Sequence, residues 1–394
     1  MLGYLYIFGF QSCVFEYRFI FKVQNIKYIL MESADYTTIL KKLVKNYKGF
    51  INFHTHLDRA GTISEKYLEH VGMNPIEASS YPLEVKRNLV GDLHRGLAYK
   101  KQSLEERIRR QLSMMISLDT REIVSFIDTT ADNVGLSALE IALLLREEYK
   151  GKINLRLAAY PIFGFKVDEP KRWEIYVEAT KKADILGGIP ERDIKEEHPR
   201  SIGHDEHIKR LLILGRELGK EVHMHIDQRN IPKQNGTEKL IEAVKWLGSP
   251  IEREEPSVWA IHAISPSCYD ENRFKEVVNG LVKYNIGIVC CPSAALSMRN
   301  LRQISSPLHN SIARVLEMLE AGVKVRLGSD NISDVFVPSG TPNLYKEIYL
   351  LSNAIRFYNP DIWAKVACGI NLTDMDRLTI SRSLEEDRKA WRII

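Results

Sequence analysis

From residue 49 onward the chain alternates between short apolar runs and longer stretches with apolar residues every three or four positions. The short runs read as strands at 49–58, 122–130, 153–161, 183–190, 221–227, 257–265, 286–292 and 323–330. From 122 on, successive starts lie 31, 30, 38, 36, 29 and 37 residues apart. That is the length of a strand, a helix and two loops. The helices carry their own signals. Ser137 followed by Glu140 has the spacing of a capping box, ahead of an apolar run at 139–145 and a stop at Gly151. Ile208, Leu211, Leu212 and Leu214 run to Gly219; Leu240, Ile241, Val244 and Leu247 run to Gly248; Val315, Leu316 and Leu319 run to Gly322. Eight strands alternating with helices predict an α/β protein, a closed (β/α)8 barrel of the TIM type. An open doubly wound sheet is the runner-up, although the glycine-rich phosphate fingerprint of dinucleotide folds is missing after the first strand.

The first interval, from 49 to 122, is about twice as long as the rest. Ser103 with Glu106 starts a helix inside it, through Ile108, Leu112 and Met115. Residues 60–100 then read as an inserted segment, either covering the barrel mouth or packed at its periphery. Beyond Asp330 the tail reads as helical, with Tyr345, Ile348, Leu351 and Ile355 on one face. Residues 1–48 form an N-terminal extension with room for a small hairpin and a helix, and 49–394 the barrel with C-terminal helices. Phe15, Tyr17, Phe19 and Phe21 have strand-like alternation; the alternative is an upstream extension before a start at Met31.

Composition narrows the class. Of the residues 44% are apolar and 27% charged, and 55 basic against 51 acidic residues leave a net charge of +4. That excludes a disordered chain and supplies no footprint for nucleic acid. The cysteines (Cys13, Cys268, Cys290, Cys291 and Cys368) form no CxxC pair. Their odd number argues against a disulfide scaffold and for a cytoplasmic, reducing setting. No apolar run reaches the roughly 20 residues of a membrane helix, and no secretory leader is evident. The expected partner is a small-molecule substrate, with homo-oligomers compatible and no nucleic acid or membrane.

Five of the eleven histidines fall at ends of predicted strands: His54 and His56 on the first, His223 and His225 on the fifth, His262 on the sixth. Residues i and i+2 of a strand share a side, so each pair can aim into one mouth. Asp330 ends the eighth strand and would neighbour the first on closure. Alone, an HxH pair is common, a single His is more often a core residue, and Asp330 could be a helix cap. Four strand ends delivering ligand-type residues to one barrel face change that balance. Imidazoles plus a carboxylate suit one divalent ion, zinc or iron.

At these residues the sequence resembles the amidohydrolase superfamily, in its mononuclear deaminase branch, near cytosine deaminase and the aminohydrolases of s-triazine breakdown. The matching pieces are His54-Thr55-His56-Leu57-Asp58, His225-Ile226-Asp227-Gln228, His262 and Gly328-Ser329-Asp330-Asn331-Ile332-Ser333-Asp334. The resemblance implies a metal held by His54, His56, His225 and Asp330, with His262 as a catalytic neighbour. His225 is preferred to His223 because the family motif His-x-x-Glu has its near match in His225-x-x-Gln228; His223 is expected to point into the mouth beside it. Strands three and four offer no lysine of the two-metal branch, which implies one metal. The chain ends leave at most a fragment of the accessory β-sandwich that most relatives carry.

A zinc-bound water would reach a pKa near 7 and act as hydroxide. Asp330 would accept its proton and pass it to the leaving amine. His262 would donate to the developing oxyanion. The family glutamate is Gln228 here, an amide without a transferable proton, so it can hold a ring but not protonate it. Arg59 and Asp334 join His223 as substrate-pocket candidates; for Arg59 a surface ion pair is the competing reading. The expected activity is metal-dependent hydrolysis of a C–N bond in a small cyclic nitrogenous substrate. The alternative is a catalytically weak metal- or ligand-binding barrel.

Overall fold

The computed structural model describes residues 35–298 and 311–391. The alternation at Phe15–Phe21, Met31, Cys13 and His309 lie outside the described residues.

Eight parallel strands form one sheet in chain order: β1 (Phe50–Thr55), β2 (Thr120–Asp128), β3 (Asn154–Tyr160), β4 (Ile185–Gly188), β5 (Glu221–Ile226), β6 (Val258–His262), β7 (Ile286–Cys290) and β8 (Val325–Leu327). The two edges meet. Thr55 bridges Asp330, and the Asp330 amide donates to the His54 carbonyl at 2.9 Å. The sheet is therefore a barrel, not an open doubly wound array. Each strand lies within its predicted run or starts two residues before it. Several ladders stop early because Asp227, His262 and Asp330 turn into the left-handed region, at φ of 58°, 79° and 54°.

Helix α1 (Tyr36–Asn46) precedes β1, α2 (Leu83–Arg95) lies in the insertion, and α3 (Lys101–Ser117) leads into β2. The outer layer continues with α4 (Ser137–Glu148), α5 (Lys171–Lys182), α6 (His204–Leu218), α7 (Gly236–Leu247), α8 (Glu271–Lys283) and α9 (Val315–Glu320). After the barrel come α10 (Leu344–Ala354), α11 (Pro360–Ala367) and α12 (Asp374–Trp391), so the tail is helical. Among the described residues the barrel is the only sheet, and no accessory β-sandwich is present. No described helix is long and apolar enough to cross a membrane.

Two expected caps take other roles. Ser137 is the first residue of α4, and its hydroxyl donates to the Val134 carbonyl at 2.7 Å instead of capping a backbone amide. Ser103 lies inside the first turn of α3, because the 3-10 turn Leu97–Tyr99 runs almost directly into that helix.

The core has two shells. Helix faces pack on the outer surface of the sheet, for example Leu139, Leu211, Val277 and Leu319 against Ile123, Leu155, Val222 and Ile288. Inside the barrel, Phe53, Val124, Phe126, Ile185, Trp259, Ile261 and Val289 fill the axis. This inner shell is the floor on which the polar mouth is built.

The inserted segment lies over that mouth. Arg107 of α3 anchors it, donating to the carbonyls of Asp58 and Ala60 at 2.8 and 2.7 Å and of Ala98 at 2.5 Å. From α2, Lys86 donates to the Phe336 carbonyl in the loop after β8 at 3.1 Å. The segment thus bridges both sides of the barrel's closing seam.

Candidate metal centre and active site

Strand β1 carries an irregularity at its functional end. Asn52 pairs with Ile123 and Thr55 with Ser125, three steps against two, so one residue is extra. The extra residue lets Phe53 pack on Trp259 inside the barrel while His54 also turns inward, against Phe126. The end of β8 is pinned to the same strand. Asn52 donates to Ser329 Oγ at 2.8 Å, Ser329 N–H donates back to Asn52 Oδ1 at 3.1 Å, and Thr55 Oγ1 donates to the Asp330 carbonyl at 2.8 Å. Gly328 makes this approach feasible: a Cβ there would lie 2.8 Å from His54 Cβ and carbonyl oxygen. Asp330 is thereby held against the two β1 histidines.

The ligand atoms converge. His225 Nε2 lies 3.1 Å from His54 Nε2. Asp330 Oδ1 lies 3.3 Å from His54 Nε2 and 3.4 Å from His56 Nε2. His54, His56 and His225 form one cluster capable of holding an ion, and His54, His262 and Asp330 form a second that shares His54 with it. All five residues are buried. His225 Nδ1 faces the Gly188 carbonyl at 3.2 Å. That oxygen can only accept, so the proton sits on Nδ1 and the Nε2 lone pair faces inward.

The electrostatics agree with a cation-binding role. Burial pushes His56 and His225 well below the ordinary imidazole value, helped by Arg59 and the neighbouring histidines, so they are neutral at pH 7. Burial alone would raise Asp330, but the hydrogen bond and charge of His54 outweigh it and hold the carboxylate below its usual range. A neutral His56 and His225 and an ionised Asp330 are in the protonation states that metal ligation requires.

The spacing fits as well. A tetrahedron with metal–ligand distances of about 2.0–2.1 Å has edges of about 3.3–3.4 Å. The three measured separations, 3.1, 3.3 and 3.4 Å, fall close to that edge. Two Nε2 lone-pair atoms in van der Waals contact repel each other unless a proton or cation lies between them. Nδ1 of His54, His56 and His262 has no hydrogen-bond partner among the described residues.

His262 stands beside this group, its Nε2 3.7 Å from Asp330 Oδ2. Burial lowers its pKa to about 4 against the opposing charge of Asp330, leaving it neutral. Next to the histidines, a cavity is lined by His56, Arg59, His225, Gln228, His262 and Asp330, with Leu83, Lys86 and Arg87 of the insertion on its wall. The space is tight, about 30 Å³.

The other expected residues separate into two groups. Arg59 does line the cavity and is buried, not a surface ion-pair partner. Its guanidinium lies 3.7 Å from Asp128 and over the rings of Tyr160 and Phe336. Burial disfavours its charge, but Asp128 and Asp58 more than compensate and keep it protonated. His223 does not line the cavity. Two residues earlier on β5, it sits roughly 6–7 Å deeper along the strand, stacked on Phe53 and bonded through Nε2 to Glu221 at 2.9 Å. Asp334 is also absent from the lining: its carboxylate accepts from Asn331 Nδ2 at 2.6 Å and from the amides of Phe336 and Val337 at 2.9 and 3.1 Å. It shapes the loop after β8.

The sequence reading missed Asn52 and Ser329, which dock β8 on β1, and Arg87 and Tyr160 on the cavity wall. The chemistry of Asn52 is too ordinary to flag, and the reach of Arg87 depends on how the insertion folds back.

The closed (β/α)8 barrel, with this order of residues at its C-terminal face, is similar to known deaminases and amidohydrolases. Comparisons with known proteins agree. An uncharacterized protein of Haemophilus influenzae is 26% identical over 72% of this chain and 94% of its own length. A pterin deaminase of Rhizobium rhizogenes is 23% identical, covering 74% of this chain, and an N-isopropylammelide isopropyl amidohydrolase of a Pseudomonas species is 22% identical, covering 75%. The matches span 61% and 65% of those two proteins. Among solved structures, 5-methylcytosine deaminase from Klebsiella pneumoniae, liganded with phosphonocytosine, superposes with a TM-score of 0.69 at 21% identity, covering 81% of this chain and 73% of the other. No family model matches the chain.

Proposed function

We propose that this protein is an amidohydrolase-type enzyme that uses one divalent metal, zinc or iron, to hydrolyse a C–N bond of a small cyclic nitrogenous substrate. The observation that carries this reading is the convergence at the barrel mouth of Asp330 Oδ1 on Nε2 of His54 and His56, at 3.3 and 3.4 Å, and of His225 Nε2 on His54 Nε2, at 3.1 Å. The similarity to a pterin deaminase and to an N-isopropylammelide isopropyl amidohydrolase supports it. When bound, the metal supplies Lewis acidity and lowers the pKa of a coordinated water to about 7.

The remaining chemistry belongs to the chain. Asp330 is ionised at neutral pH, and its Oδ2, on the side of His262, can take a proton and return it to a leaving amine. His262, held neutral, can donate one hydrogen bond to an oxygen on which charge develops. Arg59 offers a permanent cation to an oxygen or anionic group of the substrate. Gln228 holds the ring without protonating it. The insertion narrows the mouth and excludes water.

A second reading, a barrel that binds its ligand with little turnover, is favoured by one observation alone: an amide stands at Gln228 where the deaminase-type reading calls for an acid. An ammonia-release screen of metal-loaded protein over amino-substituted pyrimidines, triazines and lactam rings separates the two. Turnover of at least one ring, abolished by chelation, is expected. Binding without ammonia release from any of them would favour the second reading.

A further inference from the structure

Glu191, just beyond β4, is buried and holds four donors. Its Oε1 accepts from the Gln228 amide and from Gln234 Nε2, both at 3.0 Å. Its Oε2 accepts from Gln228 Nε2 at 3.1 Å and from Arg87 Nη2 at 3.3 Å. Gln234 is itself fixed in orientation, because its oxygen accepts from the Arg229 amide at 2.8 Å. Arg87 is a permanent cation, and the Gln228 backbone N–H can only donate. The carboxylate is thus surrounded by groups that demand an acceptor.

This dictates which way round the Gln228 side chain sits. With Nε2 on Glu191, the amide donates to the carboxylate. The reverse orientation would set the Gln228 carbonyl oxygen against Glu191, two acceptors face to face in a buried site. Among the described residues no hydrogen bond reaches Gln228 Oε1, although the side chain is buried and lines the cavity. The polar atom left without a partner is therefore an acceptor, Oε1, while Nε2 keeps one N–H that Glu191 does not take.

We infer that Glu191 is a positioning residue that fixes the Gln228 carbonyl oxygen toward the substrate, so that the site selects rings presenting an N–H there: cyclic lactams and imides, rather than rings presenting a bare nitrogen. The inference rests on the proposed hydrolase reading for the location of the substrate, but it concerns recognition and not turnover. A ring N–H completes the bond to Oε1; a bare ring nitrogen places one lone pair against another and leaves both unpaired. Discrimination of at least about tenfold follows from one such mismatch.

The test is calorimetric titration of the metal-loaded protein with uracil, which carries N–H at both ring nitrogens, and with cytosine, which has a bare nitrogen between its carbonyl and amino carbons. Uracil should bind at least about tenfold more tightly. Glu191→Gln frees the Gln228 amide to turn over, and should bring the ratio to within about threefold while the melting temperature reports whether the variant is folded. Gln228→Met has no acceptor, leaves Glu191 paired with Arg87 and Gln234, and should erase the preference with metal content unchanged. Cytosine binding as tightly as uracil, binding of neither ring, or a preference that survives in both variants would overturn the inference. Ammonia release and metal content are read separately. A protein that keeps the preference but shows no turnover counts against the hydrolase reading alone, and one that turns over rings without the preference counts against this inference alone.

Discussion

Gly328→Ala probes the step by which the barrel's closure creates the metal centre. Gly328 follows β8, and its missing side chain faces the backbone of His54: a Cβ would lie 2.8 Å from His54 Cβ and O and 2.9 Å from His54 N. Ordinary contacts between such atoms are about 3.5–4.0 Å. The shortfall is about 0.7 Å, and it is met by backbone, which cannot rotate away as a flexible side chain can. The seam between β8 and β1 must therefore open. Asp330 follows two residues later and hangs from that seam by its amide bond to the His54 carbonyl and by Thr55. Metal–ligand distances tolerate only about 0.2 Å. The substitution should cost about 1–3 kcal/mol of stability, as overpacking does, and lower metal affinity by at least about tenfold. Chemical denaturation and a competition titration with a chromogenic chelator measure the two effects. Gly91→Ala is the control, since neither Gly91 nor Gly328 has a positive φ, and the methyl added at Gly91 would meet only ordinary contacts at 3.6 and 3.8 Å. If Gly328→Ala retained wild-type metal affinity, β8 would not be setting the position of Asp330, and the account of the seam would be wrong.

Three further outcomes are expected. His262→Asn should retain the metal and lose about 10²–10⁴-fold in turnover of whichever substrate the screen identifies; metal loss by elemental analysis would instead make His262 a ligand. His225→Ala should remove the metal, whereas His223→Ala should keep it and lower the melting temperature, because His223 packs between Phe53 and Trp259 and satisfies Glu221; the opposite pattern would show the metal one layer deeper on β5. His94 gives a pH signature: burial opposes its charge, but hydrogen bonds to Asp128 and Asp132 prevail and raise its pKa to about 9 from 6.5. Its contribution is full below about pH 6.5 and is lost as the pH rises through about 9. It amounts to at most about 3 kcal/mol, less because Asp132 is a third exposed, and denaturation curves of His94→Asn should lack that slope.

The strands were legible because parallel barrel strands are buried on both faces and read as apolar runs at a regular spacing. The convergence of His54, His56, His225, His262 and Asp330 was legible for the same reason: each sits where such a run ends, and a barrel gathers its strand ends on one face. What escaped was local. The extra residue in β1 lets Phe53 and His54 both face inward, which a strict two-residue period cannot express. The same period placed His223 correctly on the inner side but could not say that it lies a layer below the mouth. Ser137 has the spacing of a cap, yet its hydroxyl finds the Val134 carbonyl first. Asp334 looked like a pocket acid in sequence, but two backbone amides and Asn331 consume its carboxylate. The partnership of Glu191 with Gln228 joins residues 37 apart, and only the neighbouring ends of β4 and β5 bring them together.

The central claim is that four side chains from three strand ends hold one metal ion. Elemental analysis of the purified full chain, beside His54→Ala and Asp330→Ala prepared identically and shown to be folded, tests it most directly. About one divalent ion per wild-type chain is expected, and less than about a tenth of that in either variant. Full metal content in both variants would contradict it.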